Sequence, residues 1–315
     1  MSQAEKNMVS PPPESLWGRI KRNATRNEQI DWTESIAFFA VHLAGVLAVF
    51  TGISWAAILM CLFMYYVRMF AITGVYHRYF SHRSYKTSRF FQFVIGLLGT
   101  SCGQKGPLWW AAHHRHHHKY SDTEQDIHSP GLRGLWWAHV GWILCEKYKD
   151  TNEEAVKDLV KYPELKWLNK YHMVAPALLA AGIFFFGVFL EHAAPALHTN
   201  GLQMISWGFF TSTTLLYHGT FSINSLTHLI GKKRFETGEQ SKNSFILSLV
   251  TMGEGWHNNH HRYPYSERQG IYWWEVDMSH YVLRVLSWFG LVWDIKTHPQ
   301  EIYAEAKGAS KTPAV

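Results

Sequence analysis

Histidine clusters are the part of this sequence best suited to chemistry. The chain has 20 histidines in 315 residues, and three clusters read "HRYFSH", "HRHHH" and "HNNHH", beginning at His77, His114 and His257. The second and third clusters both contain the pattern H-x-x-H-H. On an α-helix these three histidines spread over about 100°, so their imidazoles project from one face and can converge on a metal ion.

The first cluster and a fourth short motif extend the candidate ligand set. His77 and His82 are about 140° apart on a regular helix, so the two rings share a face only if the helix is irregular, for example at Ser81. In "NSLTH", Asn224 and His228 lie one turn apart. The candidate metal ligands are His77, His82, His114, His117, His118, His228, His257, His260 and His261, with Asn224 beside them.

The number and type of these ligands predict the chemistry. Nine imidazoles are too many for one ion, so we expect two ions of the kinds that imidazole prefers, which are iron, zinc or copper. A structural zinc site would close with about four ligands. A dinuclear site with this many neutral ligands, and no carboxylate inside the histidine boxes, indicates redox or oxygen chemistry instead.

Long apolar segments separate the histidine motifs. The chain is apolar from Ser35 to Gly74, about twice the roughly 20 residues that span a bilayer, with "TGIS" as a turn-like break. A second apolar pair follows at 171–190 and 201–222, and the linker between them, "EHAAPALHTN", has no Lys or Arg. Lys and Arg are frequent in the other segments, so the positive-inside rule predicts that both ends and the histidine motifs are cytoplasmic.

These patterns predict an all-α integral membrane protein with four transmembrane helices and a cytoplasmic helical cap that carries a histidine-ligated dimetal site. We expect a flexible cytoplasmic N-terminal tail over 1–30, a membrane domain over 31–300 and a C-terminal tail over 301–315. The predicted spans lie near 35–50, 55–74, 171–190 and 201–222, and the cap comprises 75–170 and 223–300.

Composition restricts the function further. Charged residues make up 17% of the chain, fewer than in ordinary soluble domains, which fits lipid contact. The formal charge of +6 is spread over loops and tails, which fits a cytoplasmic membrane face and not a nucleic-acid surface. Cys61, Cys102 and Cys145 form no CxxC pair, and neither GxGxxG nor a P-loop occurs. We therefore expect no disulfide framework, no dinucleotide site and an external source of electrons.

Several motifs together resemble the membrane fatty acyl desaturases of the stearoyl-CoA (Δ9) type, in a bacterial form. "GVYHRYFSHRSYK", "HHRHHHKYSDTEQDIHSP", "HVGWIL", "NSLTH" and "GEGWHNNHH" occur in the family's order and spacing. The resemblance implies that O2 and two electrons from an external carrier introduce a cis double bond, at Δ9, into a saturated C16–C18 acyl chain. It also implies that the nine histidines ligate two Fe ions and that Asn224 reaches the metal through water, with His113 and His116 outside the pattern.

The resemblance also implies partners and substrate contacts. Because no haem-binding "HPGG" occurs, we expect a separate acidic electron donor of ferredoxin, rubredoxin or cytochrome b5 type, docking on the basic cytoplasmic face. The form of the second histidine box implies a bacterial inner membrane. The residues at positions that enclose the acyl chain are Tyr65, Met69, Gln104, Trp110, Trp142 and Thr220.

Departures from the family pattern concern the acyl carrier. Members that use acyl-CoA have an Arg-Asp pair where this chain has Ala112 and His113, and a basic pair where it has Glu146 and Lys147. Acyl-lipid and acyl-ACP therefore stay open beside acyl-CoA.

The second predicted span carries a residue that could limit chain length. Met69 replaces a smaller residue one turn after Tyr65, which matches a tunnel-capping tyrosine of the family. We predict a tunnel that favours about 16 carbons over longer chains.

Two other functions remain open at this point. A diiron fatty acid hydroxylase or alkane monooxygenase uses the same chemistry and differs in whether oxygen rebounds onto the substrate radical. A divalent metal transporter would place acids or histidines within its spans, whereas the obvious charge there is Arg68. Fatty acyl desaturation is the main prediction.

Overall fold

Helices account for most of this protein, as its sequence predicts. The computed structural model describes residues 28–309, so the N-terminal tail prediction up to residue 27 and the last six residues lie outside the described range. Within that range, strands occur in one two-stranded antiparallel ladder, where β1 (Lys86–Thr87) pairs with β2 (Val292–Trp293).

A short turn connects the first two helices, and both pack on the segment Ser206–Ser225. α1 (Trp32–Leu47) begins after Asp31, whose carboxylate caps its first turn. Gly52 takes a positive φ of 78° in the turn that follows, a conformation that glycine adopts without strain. α2 (Trp55–Phe70) comes next and continues without a break as a π-helix, Ala71–Ser81.

The next helices lie in the segment that the sequence predicts to form the cap. α3 (Arg89–Thr100) packs on the π-helix, and α4 (Pro107–Tyr120) carries the second histidine cluster. Proline at the first position of α4 has the backbone angle of a helix start. Short elements follow: α5 (Pro130–Arg133), a π-turn (Trp137–Gly141), α6 (Trp142–Leu144), α7 (Lys157–Val160) and α8 (Pro163–Lys170).

A second antiparallel pair of helices lies beside the first. α9 (Val174–Ala193) packs against α10 (Gly201–Ile205). α10 continues as a second π-helix, Ser206–Thr211, and then as α11 (Ser212–Ser225). A 3-10 turn, Leu226–His228, ends this segment and carries one of the candidate ligands.

Four helices complete the described chain. They are α12 (Phe245–Val250), α13 (His257–Arg262), α14 (Met278–Trp288) and α15 (Gln300–Ala309). α13 carries the third histidine cluster.

Both ends of the described range dock on the rest of the protein. Glu28 pairs with Arg133 and with Lys147 at 2.8 Å each. Near the other end, Ile302 and Ala306 of α15 are buried in an apolar cluster. Residues at both ends of the described range thus contact the rest of the protein, and the predicted tails over 1–30 and 301–315 stay a prediction.

Three helical segments of the described range are long and apolar enough to cross a bilayer: Trp32–Thr51, Trp55–Ser81 and Val174–Ala193. They correspond to the first three predicted spans. The fourth, near 201–222, is helical but carries several Ser and Thr side chains and a π-helical interruption. The count of four spans therefore stays a prediction.

The charged residue of the second predicted span lies inside the protein. Arg68 is fully buried, and its guanidinium donates to the hydroxyls of Ser212 and Thr213 at 2.6 and 2.7 Å. These bonds join α2 to α11, so the charge serves helix packing.

The largest apolar core surrounds the first π-helix. All 11 residues of Ala71–Ser81 are buried, and α3, α4 and α14 pack against it. Tyr76 and Phe80 share this core with Leu108 and Ala111 of α4. The core therefore fixes the first two histidine-bearing elements relative to each other.

Candidate metal centre

All nine predicted histidine ligands lie in two neighbouring clusters. Within each cluster the potential ligand atoms lie within 4.8 Å of one another. The five-histidine cluster comprises His77, His82, His114, His118 and His260, and the four-histidine cluster comprises His117, His228, His257 and His261. The structure thus brings together every histidine that the motifs singled out as a candidate ligand.

A π-helix brings His77 and His82 into the same cluster. The His82 backbone N–H donates to the His77 carbonyl at 3.1 Å, which is the five-residue hydrogen bond of a π-helix. This wider turn places residues five apart on the same side, and the two ring centroids lie 4.8 Å apart. The irregularity expected near Ser81 therefore extends over the whole of Ala71–Ser81.

The two H-x-x-H-H motifs divide between the clusters in opposite ways. In α4, the i and i+4 histidines join the five-histidine cluster, and the i+3 histidine, His117, joins the other. In α13, the i and i+4 histidines join the four-histidine cluster, and the i+3 histidine, His260, joins the other. Because i+3 and i+4 side chains differ by about 100° in direction, one motif can reach two ions. Each motif thus contributes to both clusters, whereas its spacing alone suggests convergence on one metal.

The spacing of the ring nitrogens fits metal coordination. In the four-histidine cluster, Nε2 of His257 lies 3.2 Å from Nε2 of His228 and 3.1 Å from Nε2 of His261. In the five-histidine cluster, Nε2 of His77 lies 3.0 Å from Nε2 of His260. Two nitrogens bound to one ion at ~2.1 Å, at a right angle, would lie ~3.0 Å apart. The clusters therefore have the dimensions of a coordination shell.

The protonation of the rings also suits metal binding. Burial lowers the pKa of most cluster imidazoles well below the usual value, and neighbouring imidazoles lower it further. This holds for His82, His114, His118, His257, His260 and His261. The neutral imidazole is the form that ligates metals.

Two buried ring nitrogens of the four-histidine cluster, Nε2 of His117 and Nδ1 of His257, have no hydrogen-bond partner among the described residues. A buried polar atom left unsatisfied costs about 1–3 kcal/mol, and a metal ion would satisfy Nε2 of His117. The residues present therefore fit two metal ions, one in each cluster.

Carboxylates lie within hydrogen-bond distance of the outward-facing nitrogens of three cluster histidines, and Glu239 lies 3.7 Å from Nδ1 of a fourth, His261. Such an acceptor fixes the proton on Nδ1 and leaves Nε2 available for a metal. Burial would raise the pKa of Asp122, but hydrogen bonds from His228, Ser129 and the Gln240 backbone and the charge of His228 together lower this pKa to about 2. The pairs, with their Nδ1 to oxygen distances, are His77 with Glu254 (2.7 Å), His117 with Asp126 (3.0 Å) and His228 with Asp122 (2.8 Å).

Sequence reasoning missed these carboxylates, although a signal was present. Asp122 and Asp126 lie in "KYSDTEQDIHSP", directly after the second histidine box, and Glu254 lies in "GEGW", directly before the third. Metal-bound histidines often donate their second ring N–H to a carboxylate. Acids that flank a histidine box are therefore candidates for this role.

Asn224 lines a small cavity between the two clusters. The cavity has a volume of about 20 Å³, and its other lining residues include Thr220, His117 and His257. A space of about 10–15 Å³ is enough for one water molecule. There is thus room for the predicted water between Asn224 and a metal, and this role stays a prediction.

A larger cavity of about 550 Å³ extends from His114 of the five-histidine cluster, and α1, α4, α9 and α11 contribute to its lining. Four predicted substrate contacts line it: Gln104, Trp110, Trp142 and Thr220. The Gln104 amide donates to the Thr220 hydroxyl at 3.0 Å, and the Trp110 ring stacks on His114 with centroids 5.0 Å apart. These four side chains are therefore well placed to contact a ligand beside the metals.

The other two predicted substrate contacts lie elsewhere. Tyr65 and Met69 line neither cavity. The Tyr65 hydroxyl donates to the Val250 carbonyl at 2.8 Å, and Met69 is fully buried against Gly219, where an added Cβ would lie 2.7 Å from the Met69 Cε atom. Ile72, three residues after Met69, lines the small cavity. Their role in chain length stays a prediction.

Three histidines close to α4 belong to neither cluster. His113 and His116 each donate to a backbone carbonyl at 2.8 Å, in agreement with their position outside the motif pattern. His128, which sequence reasoning did not single out, is buried with its ring 4.1 Å from that of His117, and it lines the large cavity.

Comparison with known proteins agrees with this geometry. Residues 53–294 match the fatty acid desaturase family. An sn-1 stearoyl-lipid 9-desaturase of Synechocystis sp. is 34% identical over 280 residues, covering 87% of this chain and 82% of the relative. A protein of the same name from Anabaena variabilis is 32% identical over 271 residues, covering 85% and 94%.

A plant protein is similarly related. An acyl-CoA C20 Delta5-desaturase of Anemone leveillei is 34% identical over 280 residues, covering 86% of this chain and 85% of its own. The family match over residues 53–294 spans all the histidine motifs from His77 to His261. On this basis the chain belongs to the fatty acid desaturase family.

Proposed function

We propose that this desaturase uses two iron ions and O2 to introduce a cis double bond at Δ9 of a saturated C16–C18 acyl chain. The observation that carries the proposal is a cavity of about 550 Å³ whose lining includes His114 of the buried five-histidine cluster, beside the four-histidine cluster. Two hydrogens leave adjacent methylenes and supply two of the four electrons that reduce O2 to two waters. An external carrier supplies the other two electrons, and solvent supplies two protons.

The residues of the chain would hold the ions and shape the site around the acyl chain. When bound, the irons would supply the oxidising power that an unactivated C–H bond requires. Trp110 and Trp142 would exclude water beside the clusters, and Trp142 is itself stacked on Trp109 with centroids 5.8 Å apart. The bond between Gln104 and Thr220 would fix the width of the cavity by joining the segment before α4 to α11.

An acyl chain of a membrane lipid is the substrate that we favour over acyl-CoA and acyl-ACP. Residues of α1 and α9, both apolar enough to span a bilayer, line the large cavity. α1 packs mainly on α11 and its π-helix, and α9 mainly on α10, so the cavity separates α1 from α9. A lipid acyl chain could enter between them from the bilayer.

The carrier-binding positions support the same choice. Lys147, where acyl-CoA enzymes have a basic pair, is engaged by Glu28 at 2.8 Å, and its neighbour Glu146 is acidic. The relatives from Synechocystis sp. and Anabaena variabilis are named as stearoyl-lipid enzymes.

The membrane arrangement and electron donor complete the proposal. Four spans in a bacterial inner membrane, with both termini in the cytoplasm, would keep all histidine motifs on the cytoplasmic side. An acidic donor of ferredoxin, rubredoxin or cytochrome b5 type would then reach the basic cap. Cysteine-labelling of single-cysteine variants in intact and opened spheroplasts tests this topology.

Expression in a host without Δ9 unsaturated acids tests the reaction. We expect a new Δ9 monounsaturated acid, identified by gas chromatography and mass spectrometry with location of the double bond, and iron in the purified protein. A hydroxy acid would favour the hydroxylase, and altered metal uptake without a new lipid would favour a transporter.

A reconstituted system tests the substrate class. The full-length protein in lipid nanodiscs, with reduced ferredoxin and O2, is given isotope-labelled stearoyl phospholipid, stearoyl-CoA or stearoyl-ACP. We expect unsaturation of the phospholipid. Turnover of only the CoA or the ACP substrate would reject the acyl-lipid proposal while leaving desaturation intact.

A further inference from the structure

The loop between α4 and α5 supports one histidine cluster and not the other. It covers residues 121–129 and reads "SDTEQDIHS". Asp126 pairs with His117 at 3.0 Å and Asp122 with His228 at 2.8 Å, and both histidines belong to the four-histidine cluster. Among the described residues, the corresponding acid of the five-histidine cluster is Glu254, which lies outside this loop.

Hydrogen bonds orient both aspartates. The Asp126 carboxylate accepts the backbone N–H groups of Asp122 at 2.7 Å and of His128 at 3.2 Å. The Asp122 carboxylate accepts the Ser129 hydroxyl at 2.5 Å and the Gln240 backbone N–H at 2.8 Å. The loop therefore holds each carboxylate in place through bonds that do not involve a histidine.

We propose that Asp122 and Asp126 are positioning residues that set the metal affinity of the four-histidine cluster selectively, an inference that rests on the proposed two-metal function. Each carboxylate keeps a proton on Nδ1, orients the ring and makes Nε2 a stronger donor. Without this acceptor, His117 and His228 can rotate or take the other tautomer. Loss of such a partner typically weakens metal affinity roughly 10- to 100-fold.

Cobalt titration of the full-length, metal-free protein tests this selectivity without measuring turnover. Co²⁺ bound by histidines absorbs visible light, and we expect the wild type to bind two ions. Asp126→Asn and Asp122→Asn should each retain one tight site and bind the second ion roughly 10- to 100-fold more weakly. Iron content of the protein purified from iron-supplemented cells should fall correspondingly from about two ions to about one.

The loop offers a matched control and a graded variant. Glu124 lies between the two aspartates in the same loop and is exposed, so Glu124→Gln should bind both ions as the wild type does. Asp126→Glu keeps a carboxylate acceptor, so its second site should bind Co²⁺ more tightly than the second site of Asp126→Asn.

Each alternative outcome is decisive. Two tight sites in both asparagine variants, or equal weakening of both sites, would overturn the inference. Loss of a monodisperse folded species in both variants, with Glu124→Gln intact, would assign the aspartates to folding and also overturn it. A wild type that binds neither Co²⁺ nor iron would instead reject the proposed two-iron function, so the two failures are distinguishable.

Discussion

The two histidine clusters are held in place by different means. His77 and His82 of the five-histidine cluster come from a buried π-helix that continues a long apolar helix. The four-histidine cluster draws its ligands from α4, α13 and the turn after α11, and carboxylates of a loop bind two of them. Dense core packing therefore positions these two histidines of the five-histidine cluster, whereas hydrogen bonds to carboxylates position two histidines of the four-histidine cluster.

The acids that bind the two clusters also differ in their surroundings. Glu254, which binds His77, is itself paired with buried Arg78 at 3.1 Å, and Arg78 also pairs with Asp277 at 3.0 Å. The support of the five-histidine cluster is thus part of the protein core. The aspartates of the four-histidine cluster belong to a loop, so substitutions there should disturb the metal with less effect on folding.

Removal of a ligand should have the largest effect. In His117→Ala, activity should fall by more than about 100-fold, and the iron content by about half, because the four-histidine cluster loses a ligand. His116→Ala, one position earlier on α4, should keep most of both, since its ring binds a backbone carbonyl outside the clusters. Iron analysis and gas chromatography of the products measure these changes. Similar losses in the two variants would contradict the assignment.

Weakening the acid of the five-histidine cluster should have the next largest effect. Burial would raise the pKa of Glu254, but His77 and Arg78 outweigh it and keep the carboxyl ionised. Glu254→Gln replaces this anion with a weaker acceptor, so Co²⁺ affinity should fall about 10-fold at the five-histidine cluster alone. Glu164→Gln, at an ion pair with the exposed Arg89, is the control. Weaker Co²⁺ binding at the four-histidine cluster alone would contradict the assignment of Glu254 to the five-histidine cluster.

A change beyond both clusters should alter selectivity and leave the metals in place. In Met69→Ala, the ratio of C18 to C16 products should rise by about 10-fold, because a smaller side chain admits a longer chain end. Met60→Ala, on the same helix but packed near Gly208, should leave the ratio unchanged. Product analysis and metal content are measured together. An unchanged ratio in Met69→Ala would refute the predicted chain-length role.

The smallest effect concerns a histidine outside both clusters. Burial, and to a smaller extent nearby Arg268, lowers the pKa of His298 from 6.5 to about 4. The unfolded chain therefore binds a proton that the folded chain does not, and stability should fall by up to about 3 kcal/mol as pH drops from 6.5 to 4. His298→Gln should reduce the dependence of stability on pH, measured by thermal unfolding between pH 4 and 7. An equal pH dependence in the wild type and the variant would show that burial of His298 does not contribute.

Much of the architecture was predictable because it depends on local patterns. Apolar runs such as 35–50 are long enough to identify candidate spans without knowledge of their neighbours. The spacing of His114 and His118 on α4 likewise follows from helix geometry, which predicts rings on a common face.

Other features depended on contacts between distant residues and could not be predicted. The docking of Glu28 on Arg133 and Lys147 joins residues far apart in the chain, and the same holds for α15 against Phe235 and Ile271. The π-helix is another case, because the helices that pack against it, α3, α4 and α14, lie elsewhere in the sequence.

Residue types and their spacing were sufficient to predict nine candidate imidazole ligands, two metal ions and the apolar segments that separate the histidine motifs. The division of these histidines into clusters of five and four required the fold. The physical reason is that an H-x-x-H-H motif spreads its rings over about 100°, so the ion that each ring reaches depends on how α4 and α13 face each other. The same packing brings Asp122, Asp126 and Glu254 behind particular rings, which makes the two clusters chemically distinct.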